Sequence, residues 1–165
     1  MAKKDKKKTK HAKTDGNART IVENRKARHR FEILEQIECG LVLQGSEIKS
    51  LRDGRVSLDE AYGRVRDGEL YLVGCDIAEY NQASIWNHAP KRPRKLLVHK
   101  RQLEKLTAHA KEKGLTLVPL RLLLNERGIA KAVLGVCRGK KLHDKRETLK
   151  KQDVKRQIDR AMRRG

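Results

Sequence analysis

Aromatic residues are scarce in this 165-residue chain, which has one Phe, three Tyr and one Trp. A surface that reads single strands by stacking successive bases needs more of them, so that mode of recognition is disfavoured. Cysteine is sparse too. Cys39, Cys75 and Cys137 are odd in number, far apart and set among apolar neighbours. That argues against a disulfide framework and for a reducing compartment. No stretch approaches the roughly 18 consecutive apolar residues of a membrane-spanning helix. The opening MAKKDKKKTKHAK is basic, but no apolar segment follows it, so it does not read as a secretory signal. A chain of this length makes one domain and hardly two.

Enzymatic signatures are equally thin. Gly135 and Gly139 do not fall in a phosphate-binding GxxxxGK[ST] frame. The six histidines form no HExxH, no cysteine pair has zinc spacing, and Ser46 and Ser57 lack a GxSxG context. Asp59-Glu60 reads as two solvated acids rather than a catalytic pair. A cleavage site built on His88 or His143 is a weak alternative. No catalytic residue, cofactor or metal is expected.

What the chain has in excess is positive charge: 41 Lys/Arg against 21 Asp/Glu, a net +20. The charge is concentrated at the ends. Residues 1–30 hold 12 bases and 3 acids, residues 138–165 hold 12 and 4, and the centre holds 17 and 14. A nearly balanced core with two basic extensions points to a polyanionic partner, because neutralising phosphates releases counterions. Shape and backbone recognition of folded RNA fits best. A membrane-surface role lacks any lipid-anchoring signal.

Residues 1–20 offer almost nothing to bury and read as disordered, an extension taken as far as residue 23. From Phe31 apolar residues fall on odd positions (Phe31, Ile33, Ile37, Cys39, Leu41, Leu43), the period of a strand, with Gly40 as a candidate bend or bulge. Ser46 is a candidate N-cap for a short helix over Glu47–Arg52, stopped by Gly54. Strands near 60–66 and 69–73 flank Asp67-Gly68, a strong hairpin signal. Residues 81–95 read as a loop. His99–Lys113 spaces Leu103, Leu106 and Ala110 along one helical face and ends at Gly114. Leu115–Leu124 and Ile129–Cys137 are strands, with Pro119 at an edge or bulge. The fold class is mainly β leaning to α+β: a small antiparallel barrel over 24–137 with accessory helices. The segment 138–165 carries a thin apolar stripe (Leu149, Val154, Ile158, Ala161, Met162), too little for self-burial. It reads as disordered when free and helical when bound.

Two basic clusters stand out. Lys91, Arg92, Arg94, Lys95, Lys100 and Arg101 put six cations into eleven residues with no intervening acid, and two prolines keep the run extended. Arg25, Lys26, Arg28 and Arg30 lie beside Asn24 and His29. Both read as phosphate-contacting surfaces.

The segments NRKARHRF (24–31), GLVLQGSEIKSLRDG (40–54), RVRDGELYL (64–72), PKRPRKLLVHKRQL (90–103), GLTLVPLRL (114–122) and GKKLHDKRETLKKQD (139–153) together resemble the SmpB family of bacterial tmRNA-binding proteins. The resemblance runs in order from Asn24 to the C-terminus. It implies an OB-like β-barrel that binds the tRNA-like domain of tmRNA. It also implies support of aminoacylation by alanyl-tRNA synthetase, delivery with elongation factor Tu, and admission to stalled ribosomes for trans-translation, in the cytoplasm and without enzymatic activity. Matched position by position, it implies tmRNA contacts at Asn24, Arg25, Arg28, His29, Glu38, Leu97 and Lys131, beside the run Lys91, Arg92, Arg94 and Lys95. Glu38, being anionic, would orient a neighbouring arginine or accept from a base amino group or 2′-hydroxyl. Leu97 either meets RNA or packs beneath the loop. The tail would enter the empty mRNA channel near the decoding centre of the small subunit. Lys140, Lys141, Lys145, Arg146, Lys150, Lys151, Lys155, Arg156 and Arg160 would meet rRNA phosphates, with Asp144 in the matched GKKxxDKR segment. His143 would stack on a base, and Ile158 and Met162 would anchor the bound helix. A basic structural ribosomal protein is the competing reading.

Overall fold

Asp67 and Gly68 both adopt positive φ (51° and 72°), the combination a type I′ hairpin turn requires. The strands on either side pair antiparallel from Tyr62↔Val73 to Arg66↔Glu69. The computed structural model describes residues 18–83, 85–140 and 142–162, with side chains of 142–150 and 152 excluded. In chain order the elements are β1 (Arg19–Glu23), α1 (Arg25–Arg30), β2 (Phe31–Leu41), α2 (Gly45–Arg52), β3 (Val56–Ser57), β4 (Tyr62–Arg66), β5 (Glu69–Val73), β6 (Asp76–Ile77), β7 (Arg94–Leu97), α3 (Lys100–Lys111), β8 (Leu115–Leu124), β9 (Ala130–Gly139) and α4 (Leu142–Met162). The chain is thus mainly antiparallel sheet with a few helices, an α+β fold. No helix among the described residues is long and apolar enough to cross a membrane.

Seven strands form one sheet in the order β1-β8-β4-β5-β7-β2-β9, and β9 pairs back onto β8. That last pairing links six strands in a closed circuit, with β1 added on the outside of β8. The junction between β4 and β8 rests on the pair Gly63↔Leu117. A Cβ at Gly63 would lie 2.8 Å from the Leu117 Cβ, so only glycine lets the strands approach. Gly63→Ala is expected to destabilise by about 1–3 kcal/mol, the usual cost of overpacking, read as a lower urea midpoint.

Two apolar clusters flank β8 and β9. The larger lies inside the strand circuit and includes Leu41, Leu51, Leu70, Leu72, Leu96, Leu106, Leu122 and Leu134. The smaller lies outside and joins Val118, Leu120, Leu123, Val133 and Cys137 to Ala27 of α1. Burial on both faces explains why β8 and β9 read as nearly continuous apolar runs rather than alternating ones. All three cysteines are buried and free. Burial pushes Cys39 up to about 12, reinforced by the Glu38 charge. Burial likewise raises Cys75 and Cys137, each to about 11. An aromatic disulfide reagent at pH 8 is therefore expected to label none of the three rapidly in native protein and all three in denaturant.

Several expectations are corrected by the backbone. Arg19–Glu23 is not disordered: it is a strand paired with β8, with Ile21 and Val22 packed on the larger core. Residues 1–17 lie outside the described residues. The bulge in β2 falls between Ile33 and Glu35, not at Gly40, which sits flat opposite Leu97 and Lys131. The cap of α2 is Gln44, whose N–H donates to Glu47 Oε2 (2.7 Å); Ser46 instead bonds His88. The 81–95 loop ends early, because Arg94 already belongs to β7. Strand β9 continues to Gly139, which moves the start of the tail from residue 138 to residue 140. The tail is a helix over Leu142–Met162. Val154, Ile158 and Met162 on it are exposed.

Candidate nucleic-acid interface

Three strands side by side form a groove. On β2, Gly40 pairs with Lys131 of β9 on one side and Leu97 of β7 on the other. With no side chain at Gly40, the line between Lys131 and Leu97 stays open; a Cβ there would meet the Leu97 Cβ at 3.3 Å. Glu38, two residues back on the same face of β2, lies diagonally opposite Lys131, the reach at which long cross-strand side chains meet. The groove encloses about 370 Å³ and is lined by Glu38, Cys39, Gly40, Leu97, Val98, His99, Gln102 and Lys131. Glu38, Leu97 and Lys131 are 93 residues apart at their extremes, and the sheet brings them together.

The chemistry inside this groove is uneven. Lys131 Nζ donates to Glu38 Oε1 (2.7 Å). The other carboxylate oxygen, Oε2, is buried and is offered no hydrogen bond by the described residues. A buried acceptor without a donor costs free energy that an incoming amino or hydroxyl group can recover. Glu38 thus orients a lysine and not an arginine, and its carboxylate, one oxygen of which has no donor among the described residues, belongs to the lining of the groove. Leu97 is 53% exposed and forms part of the groove wall, so it does not pack beneath the loop.

The basic run of 91–101 divides into two kinds of residue. Arg94 is wholly buried, donating to Glu47 Oε1 (2.9 Å) and to the carbonyls of Cys75, Arg92 and Pro90. It is a framework residue, which corrects its assignment to an RNA-facing surface. Arg92 forks onto the same carboxylate, with Nε 2.6 Å from Oε1 and an Nη 2.5 Å from Oε2. Desolvation opposes ionisation of Glu47, but bonds from Arg92 and the Gln44 N–H, together with the charges of Arg94 and Arg92, outweigh it. The carboxyl is held below its ordinary value. The run has no acid within it in sequence, yet acids from elsewhere meet it in space: Lys91 pairs with Glu60 at 3.3 Å, and Lys95 with Glu69. Glu69 also accepts from the Tyr71 hydroxyl (2.6 Å), and the two bonds hold it below the carboxylate range. Exposed pairs of this sort contribute little in water and exchange readily for phosphate. Lys91, Lys95, Lys100 and Arg101, with the partly exposed Arg92, are therefore the available cations of the run.

The N-terminal cluster also divides. Asn24 is buried and caps α1, its Oδ1 accepting from the Ala27 N–H (3.0 Å) while Nδ2 donates to the carbonyls of Leu58 and Pro119. Its side-chain groups are engaged internally, so it does not read bases or sugars as expected. Arg25 and Arg28 are exposed, the latter 2.9 Å from Glu23. With His29 they line a second groove, of about 470 Å³, whose other wall is Lys155, Arg156 and Asp159 of α4. The tail is tied there by Lys140, whose N–H donates to Arg30 O and whose Nζ donates to Arg28 O. Two groups of cations expected to serve separate partners thus share one concavity. Lys151 and the residues 153–162 of α4 are exposed. Lys141 and the side chains of His143, Asp144, Lys145, Arg146 and Lys150 lie outside the described residues. His88 is buried, with Nε2 against Ile77 O (3.0 Å) and Nδ1 against Ser46 Oγ (2.9 Å), so it is no general base. Asp59 and Glu60 are surface acids paired with Lys26 and Lys91.

Sequence reasoning missed the Glu47 anchor, although an acid at the third position of a helix was visible. It also missed α1, whose signal was Asn24 preceding RKARHR.

Comparison with known proteins identifies the family. The family model described as SmpB protein matches residues 21–164. The SsrA-binding protein of Rhodopirellula baltica is 58% identical over 152 residues, covering 92% of this chain and 86% of that one. That of Enterococcus faecalis is 48% identical, covering 89% and 95%. A solved chain, from a structure described as tmRNA–SmpB on a journey to the center of the bacterial ribosome, is 52% identical with a TM-score of 0.64. The superposition covers 73% of this chain and 85% of that chain. With a family model spanning nearly all of it and relatives near half identity along most of their lengths, the chain belongs to the SmpB family.

Proposed function

We propose that this protein is an adaptor that binds the tRNA-like domain of tmRNA and delivers it to stalled ribosomes for trans-translation. It does so in the cytoplasm, with elongation factor Tu and alanyl-tRNA synthetase engaged through the tmRNA and no reaction catalysed by the protein itself. The observation that carries this reading is the groove of Glu38, Leu97 and Lys131. It combines an unfilled buried acceptor, a cation and an apolar wall, and it suits a nucleotide edge better than a bare phosphate. The circuit of six strands supports the OB-like barrel, a fold whose sheet face and loops receive nucleic acid. Elsewhere on the surface, Arg25, Arg28, His29, Lys91, Lys95 and the partly exposed Arg92 supply backbone contacts. The exposed cations of α4, Lys151, Lys155, Arg156 and Arg160, face rRNA, and Ile158 and Met162 offer the bound helix an apolar anchor. Asn24 and Arg94 hold the contacting loops in place.

The test is binding to the tRNA-like domain of tmRNA and to an ordinary tRNA, titrated across salt. Neutralising about six phosphates lowers affinity about a thousandfold between 50 and 200 mM salt. A preference for tmRNA that survives at the higher salt is expected. Equal binding that vanishes for both would indicate charge alone and favour a structural ribosomal protein.

A further inference from the structure

Ile85 and Trp86, in the loop between β6 and β7, are 87% and 84% exposed, the most exposed of the large apolar side chains among the described residues. The loop beneath them is braced. Asn87 clips across it, its Oδ1 accepting from the Tyr80 N–H (3.1 Å) and its Nδ2 donating to the carbonyls of Tyr80 (3.0 Å) and Ala83 (3.4 Å). The next residue, His88, is buried and bonded through both ring nitrogens. Residue 86 is therefore held directly beside two fixed neighbours, while its indole, a large apolar surface, stands in water.

The charge that follows it in sequence bears on what covers it. From Tyr80 through Lys95 there is no acid, and Lys91, Arg92 and Lys95 follow within nine residues of the indole. An apolar pocket on a protein would satisfy the ring alone, whereas Lys91 and Lys95, held in exposed pairs with Glu60 and Glu69, can exchange those partners for phosphate. A nucleotide satisfies both, its base against the indole face and its phosphate toward the cations. A lone aromatic reads one base, not a strand, which accords with the shortage of aromatics in the chain. We propose that Trp86 stacks on one unpaired base of the tRNA-like domain of tmRNA, forming a contact separate from the groove of Glu38, Leu97 and Lys131. This rests on the tmRNA-binding reading above.

Trp86 is the only tryptophan, so its emission reports on this site alone. Full-length protein is titrated with the tRNA-like domain and with a fully paired RNA duplex of similar length, binding being followed independently through end-labelled RNA. Quenching of Trp86 in step with binding is expected for the first probe and not for the duplex. Trp86→Ala should weaken the first probe about 5- to 100-fold, and Trp86→Phe should keep most of the affinity, the stacking worth of one base. Unchanged far-UV circular dichroism checks that each variant folds. Full affinity in Trp86→Ala with unquenched wild-type emission would overturn the stack and leave tmRNA binding standing. Equal quenching by the duplex would overturn the unpaired base. Intact RNA binding by Trp86→Ala with loss of ribosome association would place a protein on the indole instead and overturn the proposal. No preference for the tRNA-like domain over ordinary tRNA in wild-type protein would overturn the functional reading itself.

Discussion

Glu47→Ala is expected to destabilise the protein by about 3–5 kcal/mol, because it leaves the guanidinium of Arg94 buried without a counter-charge. The measurement is a urea unfolding curve at pH 7. The variant's midpoint should fall well below the wild type's, and Glu47→Gln, which keeps the shape and an acceptor, should lie between. Acid should narrow the gap. The folded-state value of Glu47 lies below its ordinary 4.5, so its stabilisation is full above the unfolded value and is lost as pH falls through the folded one. Wild type and Glu47→Ala should therefore differ less at pH 3 than at pH 7. An equal gap at both would show that the carboxylate's charge is not what holds Arg94. The same substitution should also weaken RNA binding, since the carboxylate fixes Arg92 and the start of β7, and with them Lys91 of the preceding loop and Lys95 of the strand.

Removing residues 140–165 is expected to abolish peptide tagging on stalled ribosomes while leaving most binding to the tRNA-like domain intact. Among the described residues neither apolar cluster includes one of α4, and β9 ends at Gly139, so the core described for the sheet lies outside the tail. Some loss is nonetheless expected, because Lys155 and Arg156 line the groove that holds Arg25, Arg28 and His29. A loss of less than about tenfold would fit one or two phosphate contacts out of several. A larger loss would make the tail part of the tmRNA interface rather than a separate ribosomal arm. Filter binding to labelled RNA and a tagging assay on a message lacking a stop codon measure the two effects separately.

Local chemistry settled much of this protein from the sequence alone. Asp67-Gly68 imposed its hairpin because both residues accept positive φ; Leu103 and Leu106 marked the buried side of α3; the charge at the two ends named a polyanion as partner. These are short-range properties: a turn, a helical face or a cationic tail needs no distant residue to exist. The motif segments from Asn24 to the tail located the family for the same reason, being contiguous. Only the tertiary structure decided what the charged and polar residues do. Arg94 and Lys95 are neighbours in a basic run, but alternation along β7 turns one into the core against Glu47 and leaves the other on the surface against Glu69. Asn24 became a cap and not a reader because Leu58 and Pro119 arrive from elsewhere to take its amide. Strand β1 exists because β8 offers it an edge; its few apolar residues gain burial only there. Glu38, Leu97 and Lys131 form one site because three strands align across Gly40, and such an alignment is a property of register that no single segment contains.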